Sequence, residues 1–156
     1  MILAVGRLRG AAERELTDRY VARASQTGRA VGLGPLDVIE VLESRAADAD
    51  RRRREEAEAL SAKLPADAAV TLFDERGRAV TSRDFAGAIA CTRDDGRAAA
   101  AFVIGGPDGL DAALREGART VSFGTMTLPH RLVRIVVAEQ IYRATTILSG
   151  HPYHRD

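Results

Sequence analysis

Five short apolar runs, at 2–5, 36–42, 69–73, 99–104 and 121–126, alternate with stretches of helical character at 11–27, 45–63, 82–93, 108–118 and 130–148. Short strands separated by helix-length segments are the pattern of crossover units, in which each strand lies parallel to its neighbour and the helices pack on the sheet. The alternation predicts an α/β fold with a parallel sheet, helices on both faces, and a single domain over residues 1–156. A chain of this length buries most of its unfolded surface without help from disulfides or structural metals.

Several function classes drop out on composition. The longest apolar run, 98–104, is far too short to span a bilayer, so no membrane role is expected. Ile2 opens a strand-like run directly, without a basic region, a long apolar stretch or a cleavage site, and the expected location is the cytoplasm. Cys91 is the only cysteine and reads as a helix residue. A formal net charge of +1 offers no global attraction to nucleic acid, so any RNA contact must be local or shared between subunits. Of the 23 basic residues all but Lys63 are arginine, the side chain whose planar fork suits phosphates and bases.

The second helical stretch carries Arg51 to Arg54 followed by Glu55, Glu56 and Glu58. That spacing sets Arg51–Glu55, Arg52–Glu56 and Arg54–Glu58 one turn apart, and it predicts a solvated face of ion pairs in preference to an RNA patch. The last helix is apolar around most of its circumference, with Leu132, Val133, Ile135, Val136, Val137, Ile141, Ala144, Ile147 and Leu148. Such a helix needs cover on more than one side, and a second copy of the chain in a homodimer is the expected source, with burial wholly within the monomer as the alternative.

Three loops follow predicted strands, the positions where α/β sheets place ligands: Leu72 to Gly77, Gly105-Gly106-Pro107-Asp108-Gly109, and Thr125-Met126-Thr127-Leu128-Pro129-His130. The glycine loop lacks dinucleotide and P-loop spacing. Pro107 removes a donor and Asp108 puts a carboxylate where a phosphate would sit, which favours a ligand without phosphates. Asp108 itself reads as the N-cap of the helix at 108–118. Gly105 and Gly106 leave their peptide edges free for an adenine or ribose, although a tight strand-to-helix turn would explain them equally. Thr125, Met126, Thr127 and Leu128 offer the apolar surface and hydroxyls that suit a base with a polar sugar, and Pro129 prepares the last helix. The tail His151-Pro152-Tyr153-His154-Arg155 is dense in functional side chains, although an ordinary surface tail covering the helix end would explain it as well; with one further histidine and one cysteine in the chain a closed metal site is hard to complete, and no metal is expected.

These segments resemble one family, the ribosomal large-subunit pseudouridine N3-methyltransferases of the SPOUT class. The likeness rests on Leu3-Ala4-Val5-Gly6, on Val103-Ile104-Gly105-Gly106-Pro107-Asp108-Gly109, on Met126-Thr127-Leu128-Pro129-His130 with Val133-Arg134, on Glu139-Gln140-Ile141-Tyr142-Arg143-Ala144, and on the tail. Their order and spacing extend it over essentially the whole chain. The resemblance implies a C-terminal trefoil knot, a homodimer, and S-adenosylmethionine held by Leu72, Gly106 and the residues Thr125, Met126, Thr127, Leu128, Pro129 and His130. It also implies large-subunit ribosomal RNA as the partner, and not DNA; the weak net charge predicts poor binding of free RNA and hence a need for the assembled ribosome.

Methylation at N3 of a pseudouridine requires loss of an imide proton, with negative charge spreading to the flanking carbonyls. His154 is the candidate base, Arg155 the donor to the developing oxyanions, and Tyr153 a stacking or hydrogen-bonding surface. Arg131, Arg134, Arg143 and Arg155 outnumber Glu139 and Asp156 at the C-terminal end, a local excess of positive charge for phosphates. Two rivals are a protein of the same fold that binds ribosome or RNA without catalysis, and a nucleotide enzyme using the glycine loop for phosphates. Donor binding separates the first from a methyltransferase, and ATP competition exposes the second.

Overall fold

A computed structural model describes residues 1–155; Asp156, counted in the C-terminal charge above, lies outside the described residues. Five parallel strands form one sheet in the order β2-β1-β4-β3-β5. They are β1 (Ile2–Val5), β2 (Val38–Val41), β3 (Ala68–Ala79), β4 (Ala99–Ile104) and β5 (Arg119–Ser122), and the long helices are α1 (Ala11–Gly28), α2 (Ala49–Ser61), α3 (Ser82–Asp94) and α4 (His130–Leu148).

The period-two alternation of the strands divides the interior into two cores. Ile2, Ala4, Phe102 and Ile104 face α1, α3 and α4. Leu3, Val5, Leu72 and Val103 face Ala57 and Leu60 of α2, with Leu110 and Leu114 closing that layer. Helices therefore cover both faces, as the alternation predicts. Strands buried on both sides read as continuous apolar runs, which is why the central strands β1 and β4 were legible as such.

Three expectations need correction. No long helix forms at 108–118: only a 3-10 turn, Ala112–Arg115, appears there, and its cap is Asp111, which accepts from the Ala113 amide at 2.9 Å. Gly109 at φ +82° and Gly117 at φ +71° bracket the turn in left-handed conformations that cannot propagate a helix. The fifth strand ends at Ser122, because Gly124 turns the chain at φ +117° and Met126 is left 80% exposed. The loop expected after the third strand is instead a break in its register: Phe73 and Arg78 both pair with Val121, so 74–77 bulge out between them.

Candidate active site

The bulge after Phe73, the glycine loop after β4 and the segment after β5 emerge from three neighbouring strands at one edge of the sheet and enclose a cleft of about 490 Å³. Gly105, Gly106, Met126, Thr127, Leu128 and His130 line it; Thr125 and Pro129 do not. Leu72 is wholly buried in the α2-side core, and its neighbour Phe73 supplies the wall. Side chains that the sequence did not single out complete the enclosure. Phe123 stacks on Phe73 with ring centroids 5.1 Å apart, and Arg115 bridges to Asp74 at 2.7 Å, tying the bulge to the turn after the glycine loop. Phe123 was legible as an apolar residue beside a glycine. The Arg115–Asp74 pair joins positions far apart in sequence and had no local signal.

The two glycines fit the tight turn, one of the two roles expected of them. A Cβ on Gly105 would stand 3.0 Å from the backbone of Gly109 and from Leu110. One on Gly106 would meet Val5 Cγ1 at 2.9 Å and Glu56 Oε2 at 3.2 Å. The space a side chain would need is thus filled by protein, and glycine here permits the loop to fold upon itself and against β1 and α2. The Gly109 amide donates to the Gly106 carbonyl at 3.0 Å, closing the turn.

Asp108 is not a helix cap. Arg52 grips it with Nε on Oδ2 at 2.7 Å and Nη2 on Oδ1 at 3.0 Å, and this fork holds the carboxyl below the usual carboxylate range. The expected Arg52–Glu56 pair gives way to this contact, whereas Arg51–Glu55 forms as expected at 2.8 Å. Glu56 instead turns inward, only 4% exposed, and burial pushes its carboxyl above the ordinary value. The face expected to be solvated is in part the back wall of the site.

His130 enters the cleft from the start of α4, and partial burial lowers its pKa, with Arg131 and Arg134 acting in the same direction against Glu43. It is neutral at neutral pH. One turn on, Arg134 is 1% exposed and donates to Glu40 at 2.5 Å, to the Gly6 carbonyl at 2.8 Å and to the Val5 carbonyl at 3.2 Å. This contact pins the cleft end of α4 to the ends of β1 and β2.

The tail folds back along α4. The Tyr153 hydroxyl donates to Glu139 Oε1 at 3.0 Å, its ring lies 4.7 Å from that of Tyr142, and the Arg143 guanidinium sits 4.9 Å above it. Burial, then the bond to Glu139, raises the Tyr153 phenol far above its ordinary range, so it stays protonated. His154 Nδ1 is 3.4 Å from Arg143 Nη1, and Arg155 is exposed. Glu139 lies nine residues along α4 from His130, roughly 13 Å by helix rise. Tyr153, His154 and Arg155 do not line the cleft of their own chain.

A parallel sheet with loops from three adjacent strands closing on one cleft, and a long helix starting at its rim, defines a class, and the chain belongs to the SPOUT methyltransferase family: the model of that family, described as predicted SPOUT methyltransferase, matches residues 1–154. Among its relatives, the Ribosomal RNA large subunit methyltransferase H of Xanthobacter autotrophicus is 54% identical over 99% of this chain and 98% of its own length. The proteins of the same name from Sinorhizobium medicae and Agrobacterium fabrum are 52% and 51% identical, over 99% of this chain and 97% of theirs. A solved structure of a probable methylase family protein from Haemophilus influenzae shares the fold at a TM-score of 0.50, with 15% identity, over 99% of this chain and 70% of that one. Among the described residues no helix is long and apolar enough to cross a membrane, and no three His, Cys, Asp or Glu side chains are grouped to hold a metal ion.

Proposed function

We propose that the protein transfers a methyl group from S-adenosylmethionine to N3 of a pseudouridine in large-subunit ribosomal RNA, acting on the assembled ribosome as a homodimer. The observation that carries the donor assignment is the convergence of three loops on one cleft. Its size falls in the range of small-molecule sites, and it combines apolar Met126, Leu128, Phe123 and Val133 with the Thr127 hydroxyl and the peptide groups of Gly105 to Leu110. These residues fit a nucleoside carrying an amino-acid chain: an apolar wall for the base, hydroxyls and peptides for the sugar, and three arginines, Arg53, Arg76 and Arg115, offset by Asp74, Glu75 and Asp108, so that no net positive charge awaits a polyphosphate. When bound, the donor supplies an electrophilic methyl on a sulfonium, which calls for no metal. Full-length likeness to relatives named for ribosomal RNA methylation supports the substrate class.

The chain's own contribution is orientation and the handling of one proton. His154 accepts the N3 proton, Arg155 faces the oxygens that gain charge, and Tyr153, held protonated by Glu139, is a donor or stacking surface. Because this tail lies well along α4 from the cleft of its own chain, the reading has the tail of one protomer serve the cleft of the other. The apolar positions left partly uncovered on α4, Leu132, Ile135 and Val136, supply a surface for that pairing. His130, neutral and already in the cleft, is the competing base. The trefoil thread belongs to the same reading, since passing the C-terminal segment by the loops after β3 and β4 would bring all three loops to one cleft.

The test is titration calorimetry with S-adenosylmethionine, with ATP as comparison and Gly106→Arg as control, followed by methyl transfer to ribosomes that lack the modification. Saturable donor binding lost in a Gly106→Arg variant that thermal melting shows to be folded, with transfer abolished in His154→Ala while donor affinity is kept, supports the proposal. Preference for ATP, or transfer that survives His154→Ala, overturns the donor or the base assignment respectively.

A further inference from the structure

We propose that Arg52 is a positioning residue for the methyl donor, acting through Asp108 to hold the glycine loop in its binding shape; the inference rests on the donor reading above.

The loop between Gly105 and Gly109 has little stiffness of its own. Three of its five residues are glycine, and one internal hydrogen bond, Gly109 N to Gly106 O, spans it. Its shape is imposed from behind by one face of α2. The Arg52 guanidinium is engaged on every nitrogen: Nε and Nη2 take the two oxygens of Asp108, and Nη1 donates to the carbonyls of Ala46 at 2.9 Å and Ala47 at 3.0 Å. A fork bound at both ends has one geometry, so Asp108 is fixed in direction as well as in distance. Arg53 Nη1 adds a longer contact, 3.4 Å, to the Asp108 carbonyl. One turn further along the same face, Glu56 accepts from the Ser44 amide at 2.9 Å and presses its second oxygen, which has no hydrogen-bond partner among the described residues, behind Gly106. The loop is therefore gripped at Asp108, a corner of its turn, and backed by Glu56 and Val5 at Gly106, where the turn begins.

The same fork removes an obstruction. Asp108 lines the cleft, and a carboxylate left free there could swing into the space of the donor. Drawn back by Arg52, it leaves the peptide edges of the loop as the binding surface. Without the fork the loop must be ordered at the moment of binding, and that cost is taken from donor affinity.

The experiment is a double-mutant cycle on donor affinity, with Arg52→Lys, Asp108→Asn and the double variant. Arg52→Lys keeps the charge but loses the fork, and Asp108→Asn is nearly isosteric, so both are chosen to spare the fold; thermal melting checks this. Each single variant should weaken S-adenosylmethionine binding by about tenfold and the double by no more than the worse single, because all three lose one contact. Unchanged affinity in the singles, or losses that simply multiply in the double, overturns the proposal. Amide exchange of the unliganded protein gives a readout independent of the donor: the Gly109 amide should exchange faster in both singles while the Leu3 and Val103 amides keep their protection. A wild-type chain that fails to bind the donor would refute the donor reading. Exchange at Gly109 would still decide the clamp, with unaltered rates refuting it.

Discussion

Arg134 shows at the scale of one residue how a charge becomes structural. Its side chain satisfies two strand-end carbonyls and Glu40 from a position that is 1% exposed. Arg134→Met strands both carbonyls and leaves Glu40 without its cation, though still bonded to the Leu8 amide, and is expected to lower unfolding free energy by about 3 kcal/mol in urea titrations. Two other groups give opposite pH signatures. His130 is held below its ordinary 6.5, so below that pH the unfolded chain takes up a proton the folded chain resists, and stability falls as pH drops. Glu56 is held above its ordinary 4.5, so the folded chain keeps a proton the unfolded chain has released, and its contribution is lost as pH rises through the folded value. Compared with wild type, His130→Gln should therefore gain relative stability on acidification below about pH 6.5, and Glu56→Gln on alkalinisation above about pH 4.5. Denaturation midpoints across pH read both, and parallel curves for either variant would refute the corresponding assignment.

Among the elements, β3 illustrates how a strand and a loop share one segment. Its register breaks between Phe73 and Arg78 so that Asp74 and Phe73 reach the cleft, and Gly77 lets the strand rejoin β5: a Cβ there would lie 2.7 Å from the Val121 nitrogen and 2.8 Å from the Thr120 carbonyl carbon. Both obstacles are backbone and cannot yield as a side chain can. Gly77→Ala is expected to cost about 2 kcal/mol or more of stability and to weaken donor binding, since the bulge it distorts is one wall of the site. At the next boundary, Thr81 and Asp84 form a reciprocal capping box at the start of α3. Thr81→Ala should cost about 1 kcal/mol and leave donor affinity unchanged, a contrast that separates local stability from the site.

For the whole molecule the question is which chain's tail meets which cleft. If the tail acts in trans, Gly106→Arg and His154→Ala subunits, each inactive alone, should complement when co-expressed. One site in each mixed dimer is then intact, giving about a quarter of wild-type transfer for random association of equal amounts. No recovery in mixed dimers isolated by differential tagging would place the tail and cleft on one chain. A monomeric mass in solution at working concentration would remove the composite site altogether.

What the sequence determined by itself is whatever local chemistry dictates: the α/β alternation, the two-sided burial of β1 and β4, the apolar excess of α4, and the loops that could form a site. Family membership was legible too, because the glycine loop, the segment from Met126 to Arg134 and the tail are contiguous motifs. The tertiary structure decided the partners of charged residues. Asp108 next to a helical pattern reads as a cap, and Arg52 four residues before Glu56 reads as its mate, yet the two meet across 56 positions to form the back of the loop. A charge takes the partner that folding brings within reach under the least solvent, and sequence spacing records only the neighbours available before folding.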